Sequence, residues 1–251
     1  AIEASLVRAS RRCDRHDLRS LALQHVDGAD VVECETHAVE GRGHDGASPR
    51  PAPLRQHLPL LADAVEHIAH PAIRNAGTFG GSLATADPAA EWPACCVALD
   101  AQIVLAGKAG TRTVAARDFF QGLYATAMQP NEIITEVVIP IPAAGTRHAF
   151  LELARRRGDY AMVGVAALAT FSGGAPRDVR LTFLGAGDKP LSATKTSQVF
   201  VNKGLSESSL KEAQDTLATE LDPAADLYST AATKLHLARV LTARIMKQLV
   251  A

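Results

Sequence analysis

After residue 146 the chain passes through three strand-like segments and then three helical segments, and this grouping narrows the possible folds more than any other pattern in the sequence. Strands that precede helices, rather than alternate with them, indicate an α+β fold. Gly173 and Gly174 separate the second and third strands and favour a hairpin turn. The predicted strands cover 149–155, 162–171 and 179–184, and the predicted helices cover 193–201, 207–217 and 230–249. Residues 146–251 are therefore predicted to form a smaller C-terminal α+β domain with a three-stranded antiparallel sheet.

Residues 54–145 show a second pattern, in which helical periodicity surrounds a glycine-rich stretch. Apolar residues recur at helical spacing over 58–69, and Pro71 ends that helix. A glycine-rich loop is expected at 76–82, and a second helix follows it. Further strands are expected at 101–106, 111–115 and 133–141. Because the small residues at 143–146 are typical of a linker, 54–145 is predicted to be a separate domain of mixed strands and helices.

Residues 1–53 follow neither a helical nor a strand period. They hold no aromatic residue, and Leu, Ile and Val together number only ten within 1–50. Residues 41–46 match the GxGxxG dinucleotide pattern, but that pattern needs a helix directly after it, and Pro49 and Pro51 interrupt the chain there. We interpret the match as accidental and residues 1–53 as an atypical N-terminal part of the first domain.

Composition excludes several classes of protein. The 251 residues carry a formal net charge of −1, so the concentrated basic charge that binds nucleic acids or anionic membranes is absent. The four cysteines lack the spacing of a disulfide framework, a zinc site or an iron–sulfur cluster. No apolar run reaches the roughly 18 residues of a membrane span, and no signal-peptide pattern opens the sequence. We expect a reduced, cytoplasmic protein that binds no metal itself.

The stretch 73–83 is the first candidate for chemistry, because it places three glycines and two hydroxyl residues within six positions. Glycines let backbone N–H groups converge on an anion such as a phosphate, and Thr78 and Ser82 can add hydroxyl donors. Asp87 and Glu91 follow at a distance that suits acceptance of hydrogen bonds from a ribose. From the residues alone, an ordinary glycine-rich turn with surface carboxylates is the alternative.

Three motifs in order resemble those of one family, the FAD-binding medium subunits of molybdenum hydroxylases, as in aerobic carbon monoxide dehydrogenase and the flavin segment of xanthine dehydrogenase. The motifs are residues 70–91 (HPAIRNAGTFGGSLATADPAAE), 131–137 (NEIITEV) and 154–163 (ARRRGDYAMV). The resemblance covers about 54–251. It implies an FAD-binding domain followed by the family's C-terminal domain.

The same resemblance implies roles for individual residues. The loop of Thr78, Phe79, Gly80, Gly81 and Ser82 would bind the FAD pyrophosphate. Other residues would contact the rest of the cofactor. Glu91 and Asp87 would lie near the ribose or the phosphate region, Ile134 near the adenine or flavin, and Tyr160 near the isoalloxazine face. No catalytic residue is implied, because the redox chemistry belongs to the cofactor. The arginines at 155–157 are either solvated or in contact with a partner subunit.

Two features depart from the family pattern. Members carry an earlier glycine-rich phosphate loop, which residues 1–53 lack, and a lysine shortly before the paired arginines, where this chain has Glu152. The missing loop would supply about half of the pyrophosphate contacts. Our hypothesis is that the N-terminal part is divergent, truncated or read from an altered frame.

The function expected from the resemblance is electron transfer within a larger complex. A molybdopterin-binding large subunit would oxidise the substrate, and [2Fe-2S] clusters on a small subunit would pass electrons to FAD on this chain and on to a quinone, NAD or oxygen. The expected assembly is a dimer of heterotrimers. The alternative is a non-catalytic scaffold subunit of the same kind of complex, with lost or weakened flavin binding. A free-standing flavin oxidase is a third option, for which the sequence offers no covalent flavin anchor.

Overall fold

The structure is a computed structural model that describes residues 54–74 and 76–251 in full and, elsewhere, the backbone of 5–7, 23–26, 29–32 and 52–53. The glycine pattern at 41–46 lies outside the described residues. The elements of the first part are β1 (Ser5–Val7), β2 (Leu23–Val26), β3 (Ala29–Val32), α1 (Ala52–His57), α2 (Pro59–Ala64), α3 (Pro71–Arg74), α4 (Phe79–Thr85), α5 (Glu91–Ala98), β4 (Gln102–Gly107), β5 (Gly110–Ala115), α6 (Ala116–Phe119), β6 (Phe120–Gly122), β7 (Ala125–Thr126) and β8 (Ile133–Ile141). Those of the second part are β9 (Arg147–Ala154), β10 (Ala161–Ser172), β11 (Ala175–Leu184), β12 (Leu191–Ser192), α7 (Thr194–Lys203), α8 (Glu207–Leu217) and α9 (Ala231–Val250).

The first part packs helices against an antiparallel sheet with the strand order β1-β8-β4-β5. Ile103 and Leu105 of β4, with Val137 and Ile139 of β8, are buried against the helices. Every residue of α5 is buried, as its almost entirely apolar sequence requires. This helix therefore forms the centre of the first core.

The second part confirms the predicted α+β class with an antiparallel sheet in the order β12-β11-β10-β9. Gly173 (φ +59°) and Gly174 (φ +79°) form the predicted hairpin turn, where a left-handed backbone is needed at both positions. The predicted count of three strands is wrong, because Leu191 and Ser192 add a short fourth strand to β11. Two residues are too few to show a strand period in sequence.

Strand β10 is buried on both faces, so the second sheet lies between two apolar cores. Ala166 and Leu168 belong to the first core with α2 and α5, whereas Val165 and Ala167 belong to a second core with α7, α8 and α9. The 20-residue helix α9 presents its apolar stripe to this second core. Among the fully described residues, no helix is long and apolar enough to cross a bilayer.

The glycine-rich stretch differs from its prediction as a loop, because residues 79–85 form the helix α4. Thr78 begins the helix with an extended backbone, and its hydroxyl accepts a hydrogen bond from the Gly81 N–H (3.0 Å). Phe79 and Leu83 anchor the helix in the first core, so burial and capping outweigh the low helix propensity of glycine.

Candidate functional site

The start of α4 brings the predicted phosphate-binding residues together, but they face two directions. Thr78 and Gly81 are exposed and Ser82 is half-buried, whereas Phe79 is only 4% exposed and packs edge-on against Trp92, with ring centroids 5.1 Å apart. Gly80 is buried with it. A Cβ atom on Gly81 would lie 2.7 Å from the Thr78 hydroxyl oxygen, so a glycine there keeps the cap intact. Three of the five predicted residues are therefore available to a ligand.

A cavity of about 430 Å³ lies beside this helix. Its lining residues come from the end of α2, the turn after it, α3, the segment between α3 and α4, α4 and α5: Val65, Ile68, Ile73, Arg74, Ala76, Gly77, Thr78, Gly81, Ser82, Thr85 and Trp92. The lining combines apolar side chains with hydroxyl groups and the Arg74 guanidinium. Thr78, Gly81 and Ser82 thus share one concave surface, as the prediction required of phosphate-binding residues.

Arg74 and Thr85 also line the cavity, and neither was assigned a role from sequence. The Arg74 guanidinium donates hydrogen bonds to the carbonyl oxygens of Ile68 and Ala69, which fixes its positive charge beside the cavity. The Thr85 hydroxyl donates to the Gly81 carbonyl (2.8 Å). Arg74 lies within the 70–91 motif, so its charge was the available signal. Its placement depends on a turn that sequence does not reveal.

Asp87 follows α4 and joins two segments by hydrogen bonds. Its Oδ1 accepts from the Ala89 N–H (2.9 Å), and its Oδ2 accepts from the Tyr124 hydroxyl (3.4 Å). The pKa of Tyr124 is raised, chiefly because the Asp87 carboxylate disfavours the phenolate and also because Tyr160 lies nearby. Tyr160 is 73% exposed. Asp87 and Tyr160, both predicted from the motifs, therefore both lie near Tyr124, which was not predicted.

Close backbone contacts place the loops of the second part against the first. The Gly185 N–H donates to the Pro88 carbonyl (2.8 Å), and a Cβ on Gly185 would lie 2.7 Å from the Met162 carbonyl oxygen. Gly158 lies against His70, whose Cε1 would be 2.8 Å from a Cβ at that position. Both glycines have positive φ. These contacts fix the segment that carries Tyr160 next to the segment that carries Asp87.

Glu91 lies in the interior rather than on the cavity surface. It is 8% exposed, and its neighbours include Glu152, whose side chain is 4% exposed, and His67, whose Nδ1 is 3.2 Å from Glu152 Oε1. Burial, and then repulsion by Glu152, raise the pKa of Glu91 to about 7. The second oxygen of Glu152 has no hydrogen-bond partner among the described residues. The carboxyl groups of Glu91, on α5, and Glu152, on β9, are therefore both buried and close enough to repel each other.

Ile134 lies on β8, half-buried against the first core, and is not part of the cavity wall. The predicted buried thiols are confirmed, since Cys95 and Cys96 are both 0% exposed. The described residues contain no cluster of His, Cys, Asp and Glu side chains suited to a metal ion.

Comparison with known proteins identifies the family. Residues 50–142 match the model for the FAD binding domain in molybdopterin dehydrogenase, and residues 148–249 match the model for the CO dehydrogenase flavoprotein C-terminal domain. The chain is also 32% identical to the carbon monoxide dehydrogenase medium chain of Afipia carboxidovorans over 94% of its own length and 80% of that chain's. The chain belongs to the FAD-binding medium subunits of molybdenum hydroxylases. The family resemblance seen in the motifs is thereby confirmed.

Other relatives of this medium subunit agree. The glyceraldehyde dehydrogenase medium chain of Sulfolobus acidocaldarius is 30% identical and covers 78% of this chain and 69% of its own length. Among solved structures, a chain of reconstituted CO dehydrogenase from Oligotropha carboxidovorans superimposes with a TM-score of 0.76 at 34% identity, over 79% of this chain and 70% of that one. This medium subunit is thus an oxidoreductase component with an FAD-binding domain.

Proposed function

We propose that this subunit binds FAD along α4 and passes electrons from iron–sulfur clusters of a partner subunit through the FAD to an external acceptor. The observation that carries the proposal is the cavity in which Thr78, Gly81 and Ser82 lie beside Arg74, within the residues that match the FAD-binding model. FAD supplies the redox chemistry when bound. The chain's own task is to hold and orient it.

The residues beside α4 suit a diphosphate. Anions bind where hydroxyl donors, backbone N–H groups and a cation meet with little side-chain bulk. The Thr78 and Ser82 hydroxyls and the Arg74 guanidinium supply donors and charge, and Gly81 leaves the surface open. Phe79 and Gly80 are the buried residues of the first turn of α4 and fix the position of the helix against the first core. We assign the pyrophosphate to this surface.

The remaining predicted contacts follow from the family motifs and from where their residues lie. We propose that the exposed Tyr160 ring contacts the isoalloxazine, and that Asp87 lies near the ribose or phosphate region and accepts hydrogen bonds from the ribose hydroxyls. Glu91 lies at the first turn of α5 and Ile134 on β8, so contact with FAD at either requires the ligand to reach beyond the cavity beside α4.

We infer that the partners are a molybdopterin-binding large subunit and an iron–sulfur small subunit, assembled as a dimer of heterotrimers. Two relatives are named carbon monoxide dehydrogenase medium chain, and this name supports partner subunits of other sizes. A solved CO dehydrogenase of Hydrogenophaga pseudoflava, 35% identical, lacks the Mo-pyranopterin moiety of its molybdenum cofactor, which supports a molybdenum-binding partner.

The test is the flavin content of the purified complex and of two matched variants. Ser82→Asp places a carboxylate at the proposed diphosphate surface, whereas Ser82→Asn has nearly the same shape without the charge. Like charges at close range cost several kcal/mol, so Ser82→Asp is expected to lower FAD retention by at least about tenfold and Ser82→Asn by much less. Gly81→Asp is less informative, because its Cβ would also meet the Thr78 hydroxyl.

The measurement is the visible absorption spectrum, followed by quantitation of the FAD released on denaturation. Flavin bands in the wild-type complex that are lost with Ser82→Asp support the proposal. Equal FAD retention in both variants would contradict the assignment of the pyrophosphate. A wild-type complex that releases no FAD on denaturation would favour the alternative of a scaffold subunit.

A further inference from the structure

A two-residue hairpin between β6 and β7 carries two large exposed side chains. Leu123 and Tyr124 form its tip, and each is 61% exposed. Tyr124 has φ +53°, a left-handed backbone conformation that a bulky residue rarely adopts and that glycine or asparagine would fill at lower free energy. A tyrosine at this position is therefore not explained by the turn itself.

The base of the hairpin is fixed, so the tip has a defined position. Phe119 and Phe120 are buried and pack edge to face with ring centroids 5.1 Å apart. Gly122 lies close to the loop after β11, where a Cβ would be 3.3 Å from Asp188 Oδ2. The Ala127 N–H donates to the Phe119 carbonyl (2.8 Å). The strained residue is thus held by a rigid support.

The Tyr124 ring is directed towards the predicted cofactor residues. Its hydroxyl donates to Asp87 Oδ2, and Tyr160 lies close enough to influence its ionisation. Asp87 and Tyr160 come from different parts of the fold, one after α4 and one between β9 and β10. The surface therefore holds two exposed phenol rings, those of Tyr124 and Tyr160, and the carboxylate of Asp87. Such a surface suits a planar heterocycle that forms hydrogen bonds.

We propose that Tyr124 is a cofactor-contacting residue, whose ring, held by Asp87, packs with Tyr160 against the isoalloxazine of FAD. The inference rests on the proposed function, because it requires FAD to be bound along α4. A planar ligand would cover apolar surface that the hairpin tip otherwise exposes to water, and this burial favours the bound state. The strained backbone is retained because a glycine at this position would provide no ring.

The decisive variant is Tyr124→Gly in the purified complex. It removes the ring and also suits φ +53°, so the subunit should unfold at the same or a higher temperature than wild type. We expect the Kd for FAD to rise by at least about tenfold, as loss of an aromatic contact predicts. Tyr124→Phe keeps the ring but loses the hydrogen bond to Asp87, so its FAD Kd should rise less than that of Tyr124→Gly.

Leu123→Ala is the matched control, since Leu123 is equally exposed on the same hairpin. It should leave the FAD Kd unchanged. If Tyr124→Gly folds poorly, Tyr124→Asn tests the same point, because asparagine tolerates the left-handed region.

Three outcomes would overturn the inference in distinguishable ways. Wild-type FAD affinity in Tyr124→Gly would reject the role of Tyr124 alone and leave the proposed function standing. Unchanged FAD binding together with loss of a copurifying subunit would assign the hairpin to an interface instead. Absence of FAD from the wild-type complex would reject the proposed function and this inference together.

Discussion

At the scale of single residues, the buried carboxyl group of Glu91 is the clearest source of pH dependence. Folding raises its pKa from 4.5 to about 7, first by burial and then by Glu152. His67 and Asp87 also act on it, in opposite directions. A group whose pKa is higher in the folded state stabilises the fold fully below its unfolded pKa, and that contribution is lost as the pH rises through the folded value.

We therefore expect Glu91→Gln to flatten the stability profile between pH 5 and 8. The wild-type subunit should lose on the order of 3 kcal/mol of unfolding free energy across this range from this group, and the variant should not. Urea unfolding at several pH values is the measurement. Glu152→Gln serves as a comparison that should reduce the loss only in part, since burial is the larger cause. A profile that Glu91→Gln leaves unchanged would contradict this account.

Which site residues could be predicted from sequence depends on how local their geometry is. Thr78, Gly81 and Ser82 share one surface because they are neighbours on one turn, so the motif was sufficient to group them. Arg74 and Tyr124 were missed because each reaches the site through a hydrogen bond to a carbonyl or carboxylate that only the folded chain brings near. The raised pKa of Glu91 likewise depends in part on Glu152, which comes from the second part of the chain.

At the scale of elements, α4 was mistaken for a loop because three glycines favour breaks in helices. The sequence did not reveal that Phe79 and Leu83, on one side of α4, are buried in the first core. Strands with longer signals were predicted well: the structure has β8 at the predicted 133–141, and the paired glycines fixed the β10–β11 hairpin. The β6–β7 hairpin was missed, since a Leu-Tyr tip carries none of the usual turn residues.

The start of α4 allows a test of how Thr78 and Gly81 depend on one another. Thr78→Ala removes the cap and should cost about 1 kcal/mol. Gly81→Ala should give little net change in wild type, because the better helix propensity of alanine is offset when the new Cβ displaces the capping hydroxyl, 2.7 Å away. In the Thr78→Ala background that hydroxyl is absent, so Gly81→Ala should stabilise by roughly 0.5–1 kcal/mol.

The measurement is a double-mutant cycle from urea unfolding of the four proteins. A coupling energy near zero would mean that a Cβ at position 81 does not displace the Thr78 cap. Gly110→Ala is unsuitable as a control, because that glycine has φ +118° and would add backbone strain of its own. Thr113→Ala, at an exposed position on β5, provides the baseline for a surface change.

At the scale of the whole molecule, the second sheet joins the two parts of the chain. One face of β10 packs with α5 and the other with α9, and Arg180 of β11 bonds to Asp100 beyond the end of α5. The site depends on this arrangement, because Gly158 and Gly185 approach the first part only when the sheet is docked. The sequence suggested two domains separated by a linker, but periodicity cannot show that a strand is buried on both faces.

A shared sheet implies that the subunit unfolds as one unit. Leu168 and Leu181 lie on opposite sides of it, one in each core, and are 6% and 1% exposed. Each changed to alanine should lower the unfolding free energy by about 2–5 kcal/mol, the range for buried leucines. Both should shift the same single transition, whether it is followed by far-UV circular dichroism or by Trp92 fluorescence in the first core. If Leu181→Ala instead moved the circular dichroism transition and left the Trp92 transition in place, the two cores would be independent, and docking of the Tyr160 segment beside α4 would need a cause other than the sheet.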